Sequence, residues 1–318
     1  MDFCDCNTVS VSKYSSKYKI LWNDFVTRSK NGVFLFYRDY MEYHSDRFRD
    51  HSLLFFKNGK LIGLLPANIK GDTLQSHEGL TFGGIISGYD MKVPIMMEIF
   101  ERLVTHCKEE GIKKIVYKAI PYIYHSVPAD EDLYALFRLN AKLTTRAVAS
   151  CIYLPRRRDF VRERLKNIKI AKKNNLVVKR SYDYKSFMRI VEWVLEEKHG
   201  TKPVHTAEEI ELLAGRFPDN IRLFASYKND VMLAGVLAYE SANVIHIQYG
   251  FNSNEGRTFG ALDVIYDYLI NDYYKERKYF DFGISTEKQG QVLNYGLIRT
   301  KEGLGASSVM YDQYTLPF

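Results

Sequence analysis

Hydrophobic and polar positions alternate most regularly in residues 221–286, where strand-like runs surround one helical stripe. The short polar segment Lys228-Asn229-Asp230 lies between two apolar runs, a pattern that predicts a β-hairpin. Farther along, apolar residues from Leu262 to Tyr273 recur at spacings of three and four, which predicts an amphipathic helix. A helix that returns the chain to a sheet usually makes the next strand parallel to an earlier one. These residues therefore predict a hairpin, a third strand, a helix and a parallel strand, FDFGIS at 280–285.

The same order of elements appears earlier in the chain, in residues 52–121. Lys57-Asn58-Gly59 takes the place of the later turn, and Gly63 takes the place of Gly235. The segment QSHEG at 75–79 matches HIQYG at 246–250, because each sets a Gln and a His two residues apart and ends in Gly two residues later. A shared turn, strand glycine and polar pair indicate an internal duplication.

The repeated unit resembles the GNAT acyltransferase fold, and the tandem arrangement is similar to the Fem-type aminoacyltransferases that build peptidoglycan cross-bridges. The resemblance covers residues 33–318 and includes the basic helix NIKIAKKNNLVV (167–178), the FDFGIS strand and the tail LNYGLIRTKEGLGA (293–306). It implies an α/β fold with an α+β mixed sheet, built as two tandem GNAT-like domains with a central inter-domain cleft. We expect an N-terminal domain over 1–155, a basic connector helix over 156–180 and a C-terminal domain over 181–318.

Positive charge is concentrated in one segment of the chain. The net charge of the 318 residues is +7, yet residues 156–180 alone carry eleven Lys or Arg and only two acids, Asp159 and Glu163. The apolar positions Phe160, Val161, Leu165, Ile168 and Ala171 predict a buried stripe on this helix. The segment is either a solvated linker helix or an electrostatic site for a polyanion such as tRNA, a nucleotide-linked substrate or a membrane surface. A tRNA site would cover residues 162–173.

Composition excludes several other classes of protein. Hydrophobic residues make up 46% and charged residues 26%, as in ordinary globular proteins, and no run of 18 apolar residues predicts a transmembrane segment. The start of the chain lacks the pattern of a secretory signal, so we expect a cytoplasmic protein. Cys4 and Cys6 have no second pair or His cluster nearby, and His199 and His205 are six residues apart, so no metal site is expected. Cys107 and Cys151 fall in apolar runs, which predicts buried thiols.

The second repeat contains candidate catalytic residues. Transfer of an acyl group to an amine needs a proton acceptor, N–H donors for the oxyanion and a proton donor for the leaving group. The resemblance implies that backbone N–H groups of the splayed central strand hold the oxyanion. Alternation along 243–250 places His246 and Gln248 on a polar face opposite Ile245, Ile247 and Tyr249. His246 is a candidate base, because its unperturbed pKa of about 6.5 lies near working pH, or else a hydrogen-bonded structural residue.

Three further candidates follow in the second repeat. Asp281 lies at the end of the parallel strand between two Phe, where it accepts an amine proton or fixes the neighbouring loop. Ser285 is a candidate substrate contact four residues later. The resemblance implies that a tyrosine after this strand can protonate the leaving group, which makes Tyr295 a catalytic candidate.

The first repeat offers candidate substrate contacts. Gln75 and His77 correspond to the polar pair of the second repeat. Tyr124 follows the end of a strand, where open α/β sheets tend to expose ligand-binding groups.

A partial coenzyme A signature precedes the second helix. The family pattern Q/R-x-x-G-x-G/A binds pyrophosphate through backbone N–H groups. Arg257, Gly260 and Ala261 match it, but Leu262 occupies its last position. The candidate cofactor-binding residues are Gly256, Arg257, Thr258, Phe259, Gly260 and Ala261.

The sequence favours an N-acyltransferase that moves an acyl group from a coenzyme A thioester to an amino group. The acceptor would be a small molecule, a nucleotide-linked compound or a cell-envelope precursor. One alternative is a Fem-type enzyme with aminoacyl-tRNA as donor, which the departure at Leu262 and the basic helix leave open. Another is a non-catalytic ligand-binding protein of the same fold.

Overall fold

The computed structural model describes residues 8–318, and Cys4 and Cys6 lie outside the described residues. The chain forms two compact units. Unit 1 comprises Met1–Ala147, Lys288–Val292 and Met310–Phe318, and unit 2 comprises Val148–Glu287 and Leu293–Val309. The first 147 residues are therefore completed by the last nine, whereas the boundaries expected from the sequence at 155 and 181 stay a prediction.

The strands, in chain order, are β1 Ser10–Lys13, β2 Arg49–Asp50, β3 Leu53–Lys57, β4 Lys60–Leu65, β5 Asn68–Lys70, β6 Thr73–Gln75, β7 Ile86–Ser87, β8 Lys114–Lys118, β9 Lys142–Tyr153, β10 Val177–Ser181, β11 Ile221–Lys228, β12 Val231–Glu240, β13 Val244–Asn252, β14 Tyr279–Ile284, β15 Thr286–Glu287, β16 Val292–Leu293 and β17 Ser307–Pro317. The α-helices are α1 Lys19–Arg28, α2 Arg38–Met41, α3 Val93–Glu109, α4 Glu131–Arg138, α5 Arg162–Lys173, α6 Tyr184–His199, α7 Ala207–Arg216, α8 Asn254–Thr258, α9 Ala261–Tyr268 and α10 Tyr295–Gly303. A π-helical turn, Leu269–Tyr273, extends α9.

Unit 1 contains a mixed sheet with the strand order β9-β17-β8-β6-β5-β2 and a smaller antiparallel sheet with the order β1-β3-β4-β7. Residues 142–147 of β9 and 310–317 of β17 belong to this unit. The parallel pair is β6 and β8, which α3 joins, as the repeat predicts. One face of α3 packs into the core, and Cys107 on that face is buried as expected.

Unit 2 contains a mixed sheet with the strand order β10-β11-β12-β13-β14-β9, which includes residues 148–153 of β9. The strands β13 and β14 are parallel, and α8 and α9 lie between them in the chain. The core contains Ile265 and Leu269 from the helical segment and Phe280 from β14. Gly235 is a close backbone approach, because a Cβ there would lie 2.3 Å from the ring of Phe187 in α6. The predicted order of elements in 221–286 is therefore confirmed.

The two hairpins of the repeat have the same geometry. Asn58 and Gly59 both have positive φ, and so do Asn229 and Asp230, as a two-residue type I′ turn requires. Each hairpin also has a bulge in the strand after its turn, because Ile62 in β4 and Leu233 in β12 have no register partner on the opposite strand. The turn residues explain this shared form, since Asn, Asp and Gly adopt positive φ at the least cost.

The connector helix forms where it is expected, but the sequence misjudges its buried face. Ile168 and Ala171 are buried, whereas Val161 is 48% exposed and Leu165 44% exposed. Val161 lines an open cavity of about 670 Å³ at the start of α5, which explains its exposure. Within residues 8–318, every helix is too short or too polar to cross a membrane.

Candidate active site

His246 and Asp281 form a hydrogen-bonded pair in unit 2. They are register partners on the parallel strands β13 and β14, so their side chains leave the sheet on the same face. His246 Nδ1 lies 2.8 Å from Asp281 Oδ2, and the aspartate is fully buried. Asp281 Oδ1 accepts a second hydrogen bond from the Gly283 N–H at 2.9 Å. With Nδ1 held by a carboxylate, Nε2 is the ring nitrogen positioned to take a proton.

Both strands change course next to this pair. The parallel register runs from Val244 and Tyr279 only to His246 and Asp281, although β13 continues to Asn252. In β13 the register against β12 shifts between Leu237 and Ala238, which leaves Gln248 as an extra, bulged residue. Beyond His246, β13 therefore has no β14 partner. This is the splayed arrangement in which the family resemblance implies an oxyanion site.

The bulge corrects the predicted faces of β13. Simple alternation places Ile247 and Tyr249 together, but Ile247 pairs with Ala238 and Tyr249 pairs with Leu237 across the bulge. Tyr249 consequently lies on the other face, where its hydroxyl is 2.9 Å from His205 Nδ1. Gln248 is half-buried at the bulge itself, so its side chain does not follow the simple alternation with His246.

Two further residues shape the site, Gly283 and Lys301, although no sequence pattern marks either as a site residue. Gly283 has φ +70° in a second bulge, where β14 changes register against β9 after Asp281, and a Cβ there would lie 3.2 Å from His246 Cε1. Lys301 of α10 is buried and donates to the carbonyl oxygens of Gly283 at 2.9 Å and Ile284 at 2.7 Å. Burial lowers the pKa of Lys301 to about 8, opposed by the negative charge of Asp281. Lys301 therefore holds the turn that positions the pair.

The remaining candidates of the second repeat have different surroundings. Ser285 is buried, and its Oγ has no hydrogen-bond partner among the described residues. Tyr295 begins α10 and is 78% exposed, and no hydrogen bond between described residues links it to His246 or Asp281. An exposed phenol is not held in place for proton transfer, so the geometry does not support Tyr295 as the leaving-group acid.

The first repeat does not reproduce the pair. Gln75 is the register equivalent of His246, since it lies opposite Val116 at the third position of the parallel pair β6 and β8. The residue that corresponds to Asp281 is therefore Val116, which cannot accept a proton. The strand β6 ends at Gln75, and His77 follows with φ +49°.

His77 is buried in unit 1. Its ring stacks on His44 with 5.3 Å between centroids, and burial lowers its pKa to about 3. Tyr124 is buried as well, with its hydroxyl 3.1 Å from that of Tyr311. Both side chains are buried, which does not favour substrate contact, and their role as substrate contacts stays a prediction.

The loop Gly256–Ala261 does not have the form of a pyrophosphate cradle. The N–H groups of Gly256, Arg257, Phe259 and Gly260 are hydrogen-bonded within residues 253–260, because residues 254–258 form the short helix α8. Gly256 is a glycine for packing reasons, since a Cβ there would lie 2.4 Å from the Leu233 carbonyl oxygen.

Helix α5 covers the same loop from outside. A Cβ on Gly260, the residue before α9, would lie 2.3 Å from the carbonyl oxygen of Asn167. In the first turn of α9, the Asp263 carboxylate accepts hydrogen bonds from Arg164 Nη1 at 3.0 Å and Asn167 Nδ2 at 2.8 Å. A carboxylate at this helix N-terminus repels a phosphate. The Asn167 backbone and the Asp263 carboxylate therefore disfavour a pyrophosphate beside Gly260, and the coenzyme A contacts at 256–261 stay a prediction.

A stripe of cations runs along the outer face of α5. Arg162, Lys166, Lys169 and Lys173 follow one another at spacings of three and four, so they share one side of the helix. All four are exposed, and no ion pair joins them to another described residue. Lys172 differs, since it pairs with Asp267 at 2.9 Å. Across residues 8–318, no three His, Cys, Asp or Glu side chains are grouped to hold a metal ion.

Comparisons with known proteins match this architecture. Residues 156–289 match the family model described as "Acetyltransferase (GNAT) domain". The fold is similar to that of FemX, with a TM-score of 0.68 over 97% of both chains at 14% identity. It is also similar to L-PGS from Bacillus licheniformis, with a TM-score of 0.55 over 83% of both chains at 12% identity.

A tandem GNAT protein from the clavulanic acid biosynthesis pathway has a TM-score of 0.52 over 97% of this chain and 98% of its own, at 9% identity. A search of curated proteins finds no sequence match. The expected fold is confirmed, as two tandem GNAT-type units of the Fem-like arrangement.

Proposed function

We propose that this acyltransferase of tandem GNAT fold transfers an aminoacyl group from an aminoacyl-tRNA to an amino group of a cell-envelope precursor. The hydrogen-bonded pair of His246 and Asp281, at the point where β13 and β14 separate, is the observation that carries the proposal. It supplies a proton acceptor beside the part of β13 that has no β14 partner.

In the proposed reaction, His246 accepts one proton and later returns it. Asp281 accepts the hydrogen bond from Nδ1–H and thereby keeps Nε2 of His246 unprotonated. Nε2 takes a proton from the acceptor amine as the new C–N bond forms. The ester C–O bond to the tRNA ribose then breaks, and His246 returns the proton to the departing oxygen. Backbone N–H groups of β13 beyond His246 would stabilise the tetrahedral oxyanion.

The basic helix supports tRNA as the donor. The stripe of Arg162, Lys166, Lys169 and Lys173 presents four charges along one face, suited to a phosphate backbone. At its first turn the stripe borders the cavity of about 670 Å³, which is lined by three arginines, Arg162, Arg164 and Arg299, and by two acids, Glu163 and Glu302. The similarity in fold to FemX agrees with this donor, whereas the covered loop at Gly260 disfavours a coenzyme A pyrophosphate.

A second candidate donor is an acyl-CoA. The family model matched by residues 156–289 favours it, because that model describes acetyltransferases. A coenzyme A thioester would need another contact for its pyrophosphate than residues 256–261.

The donor can be tested by charge reversal. Bulk tRNA should bind with a steep salt dependence, and Lys166→Glu with Lys169→Glu and Lys173→Glu should abolish that binding. The matched control reverses three lysines at the end of α3 and start of β8, Lys108, Lys113 and Lys114, with the same change in net charge. Binding that is insensitive to salt, or equally weakened by both triple variants, would exclude a tRNA site on α5.

Activity is measured with two labelled donors in parallel. Aminoacyl-tRNA charged with radiolabelled amino acids, or labelled acetyl-CoA, is incubated with a pool of cell-envelope precursors, and label in the precursor fraction is counted. We expect transfer from aminoacyl-tRNA and its loss in His246→Ala. Transfer from acetyl-CoA alone would overturn the proposed donor. The effect of His246→Ala on that transfer would then test the proposed role of His246 separately.

A further inference from the structure

Unit 1 contains a cavity of about 750 Å³ that the transfer reaction does not use. Its apolar lining comes from α1, from the hairpin of β3 and β4, from the segment between β7 and α3, and from the first turn of α3: Leu21, Phe25, Leu61, Ile62, Met91 and Ile95. A volume of this size is within the range of small-molecule sites. The contributing segments belong to one unit, so the cavity is a property of that unit alone.

Three cationic side chains border the apolar lining. Arg28 comes from α1, and Lys57 and Lys60 flank the hairpin turn. Each has an acidic neighbour, since Arg28 pairs with Asp24, Lys57 with Glu98 at 2.6 Å and Lys60 with Asp90 at 3.4 Å. The pairs of Arg28 and Lys60 are largely solvent-exposed, and exposed ion pairs contribute little, so these cations can exchange partners with an anionic ligand.

Two lining residues with large side chains are exposed. Tyr89 is 58% exposed and Leu21 is 37% exposed. Single exposed hydrophobic residues are common on protein surfaces, but here they adjoin an apolar cavity. An apolar interior with cations at the border is complementary to an amphiphile with a negative head group.

We infer that this cavity binds a single acyl chain, with its anionic head group beside Lys57, Lys60 and Arg28. The chain would be that of a free fatty acid or one chain of an anionic membrane lipid, because both present the same chemistry. The inference does not depend on the proposed transfer reaction, whose candidate residues lie in unit 2.

Chain length and head group provide the first test. Octanoate, decanoate and dodecanoate, each below its micelle-forming concentration, are titrated into the protein by calorimetry. Affinity should rise by about fourfold per added methylene, the factor expected for burial of a CH₂ group. Dodecyltrimethylammonium, with the same chain and the opposite charge, should bind more weakly than dodecanoate. Equal affinity for all three chain lengths, or no binding, would overturn the inference.

Two variants test the location. Gly88 lines the cavity, its φ lies outside the left-handed region, and a Cβ there meets no atom within 4 Å, so Gly88→Phe can start a larger side chain at the cavity wall. It should weaken dodecanoate binding by roughly tenfold, as expected for the loss of about two buried methylenes. Lys60→Glu should weaken binding by about threefold to fivefold, and more at low salt. The control Lys114→Glu reverses an exposed lysine outside the cavity and should leave binding unchanged.

Vesicles distinguish the two sources of the chain. Sedimentation with phosphatidylglycerol vesicles, against phosphatidylcholine vesicles as control, reports binding to a membrane lipid. Dodecanoate binding without vesicle binding identifies a free acyl anion. Binding to anionic vesicles that Gly88→Phe weakens identifies a lipid chain. Binding of either kind that Gly88→Phe leaves unchanged places the ligand elsewhere and refutes the assignment.

Discussion

Replacement of Asp281 by Asn tests the proposed proton acceptor most directly. The parent carboxylate accepts two hydrogen bonds, from His246 Nδ1 and from the Gly283 N–H. An asparagine has one oxygen and one NH₂ group in the same place, so it can accept only one of them. If the oxygen accepts from Gly283, the NH₂ group donates to Nδ1 and forces the proton onto Nε2, where the base is lost.

The structure sets the size of the effect. To keep the active tautomer, the asparagine must turn its NH₂ group towards the Gly283 N–H in a fully buried site, and an unsatisfied buried donor costs about 1–3 kcal/mol. That preference alone lowers the active fraction about fivefold to 150-fold. Loss of the charge-assisted hydrogen bond to the imidazolium adds roughly another tenfold. We expect the transfer rate of Asp281→Asn to fall by about 10² to 10³, within the range of general-base catalysis.

The assay is single-turnover transfer from labelled aminoacyl-tRNA, normalised to the folded fraction from urea titration. Glu240→Gln is the matched control, because Glu240 is another buried carboxylate of unit 2 that accepts from Tyr274 at 2.5 Å, and its replacement should affect stability alone. Asp281 acts through His246, so Asp281→Asn should add little to the defect of His246→Ala. An Asp281→Asn rate within threefold of the parent rate would refute this reasoning. So would a double variant whose transfer rate falls below that of His246→Ala by the full factor seen for Asp281→Asn alone.

Three other substitutions have defined outcomes. Gly283→Ala places a Cβ 3.2 Å from His246 at φ +70°, so it should cost about 1–2 kcal/mol in urea unfolding and lower the transfer rate. Burial raises the pKa of Asp132, beside Tyr117, from 3.8 to about 6. The folded state therefore binds more protons between these pH values, and the free energy of unfolding falls as pH rises. Asp132→Asn should remove most of this fall, about 3 kcal/mol, in urea titrations across the same range. Burial lowers the pKa of His77 from 6.5 to about 3, so stability should fall as pH drops through that window; His77→Asn, which tolerates φ +49°, should flatten the profile, and an unchanged acid midpoint would contradict it.

Local signals were sufficient to predict much of the fold. Asn58-Gly59 and Asn229-Asp230 can form two-residue turns with positive φ, and both do. The spacing of apolar residues identified the helix between β13 and β14, and the parallel pairing followed from the crossover rule. These features depend on residues close in sequence, where local preferences dominate.

The site depended on details that alternation does not contain. A single extra residue, Gln248, moves Tyr249 to the opposite face, and no pattern in the sequence marks that bulge. The sequence contains a hint that His246 and Asp281 are partners, because each is the third residue of its parallel strand. The pairing follows only once the register of the two strands is known. Lys301 gave no signal, since a lysine on an amphipathic helix usually faces water.

Coenzyme A binding illustrates a different limit. Glycines at 256 and 260 suggested a loop open to a phosphate, yet both make room for backbone, at Leu233 and Asn167 respectively. A glycine indicates that another group packs close to the backbone, but it does not show whether that group is a ligand or another part of the chain. Helix α5 comes from a different segment of the chain, so the sequence of the loop alone does not predict that α5 packs over Gly260.

Most of β17 is part of unit 1 although it lies near the end of the chain, and this affects folding during synthesis. Residues 310–317 form the strand between β9 and β8 of unit 1, although almost all of that unit is made before residue 148. A ribosome that adds about 5–20 residues per second needs roughly 10–30 s to supply the missing strand. During that interval the edges of β8 and β9 lack their neighbour, so the part of the chain that emerges first is the part that finishes folding last.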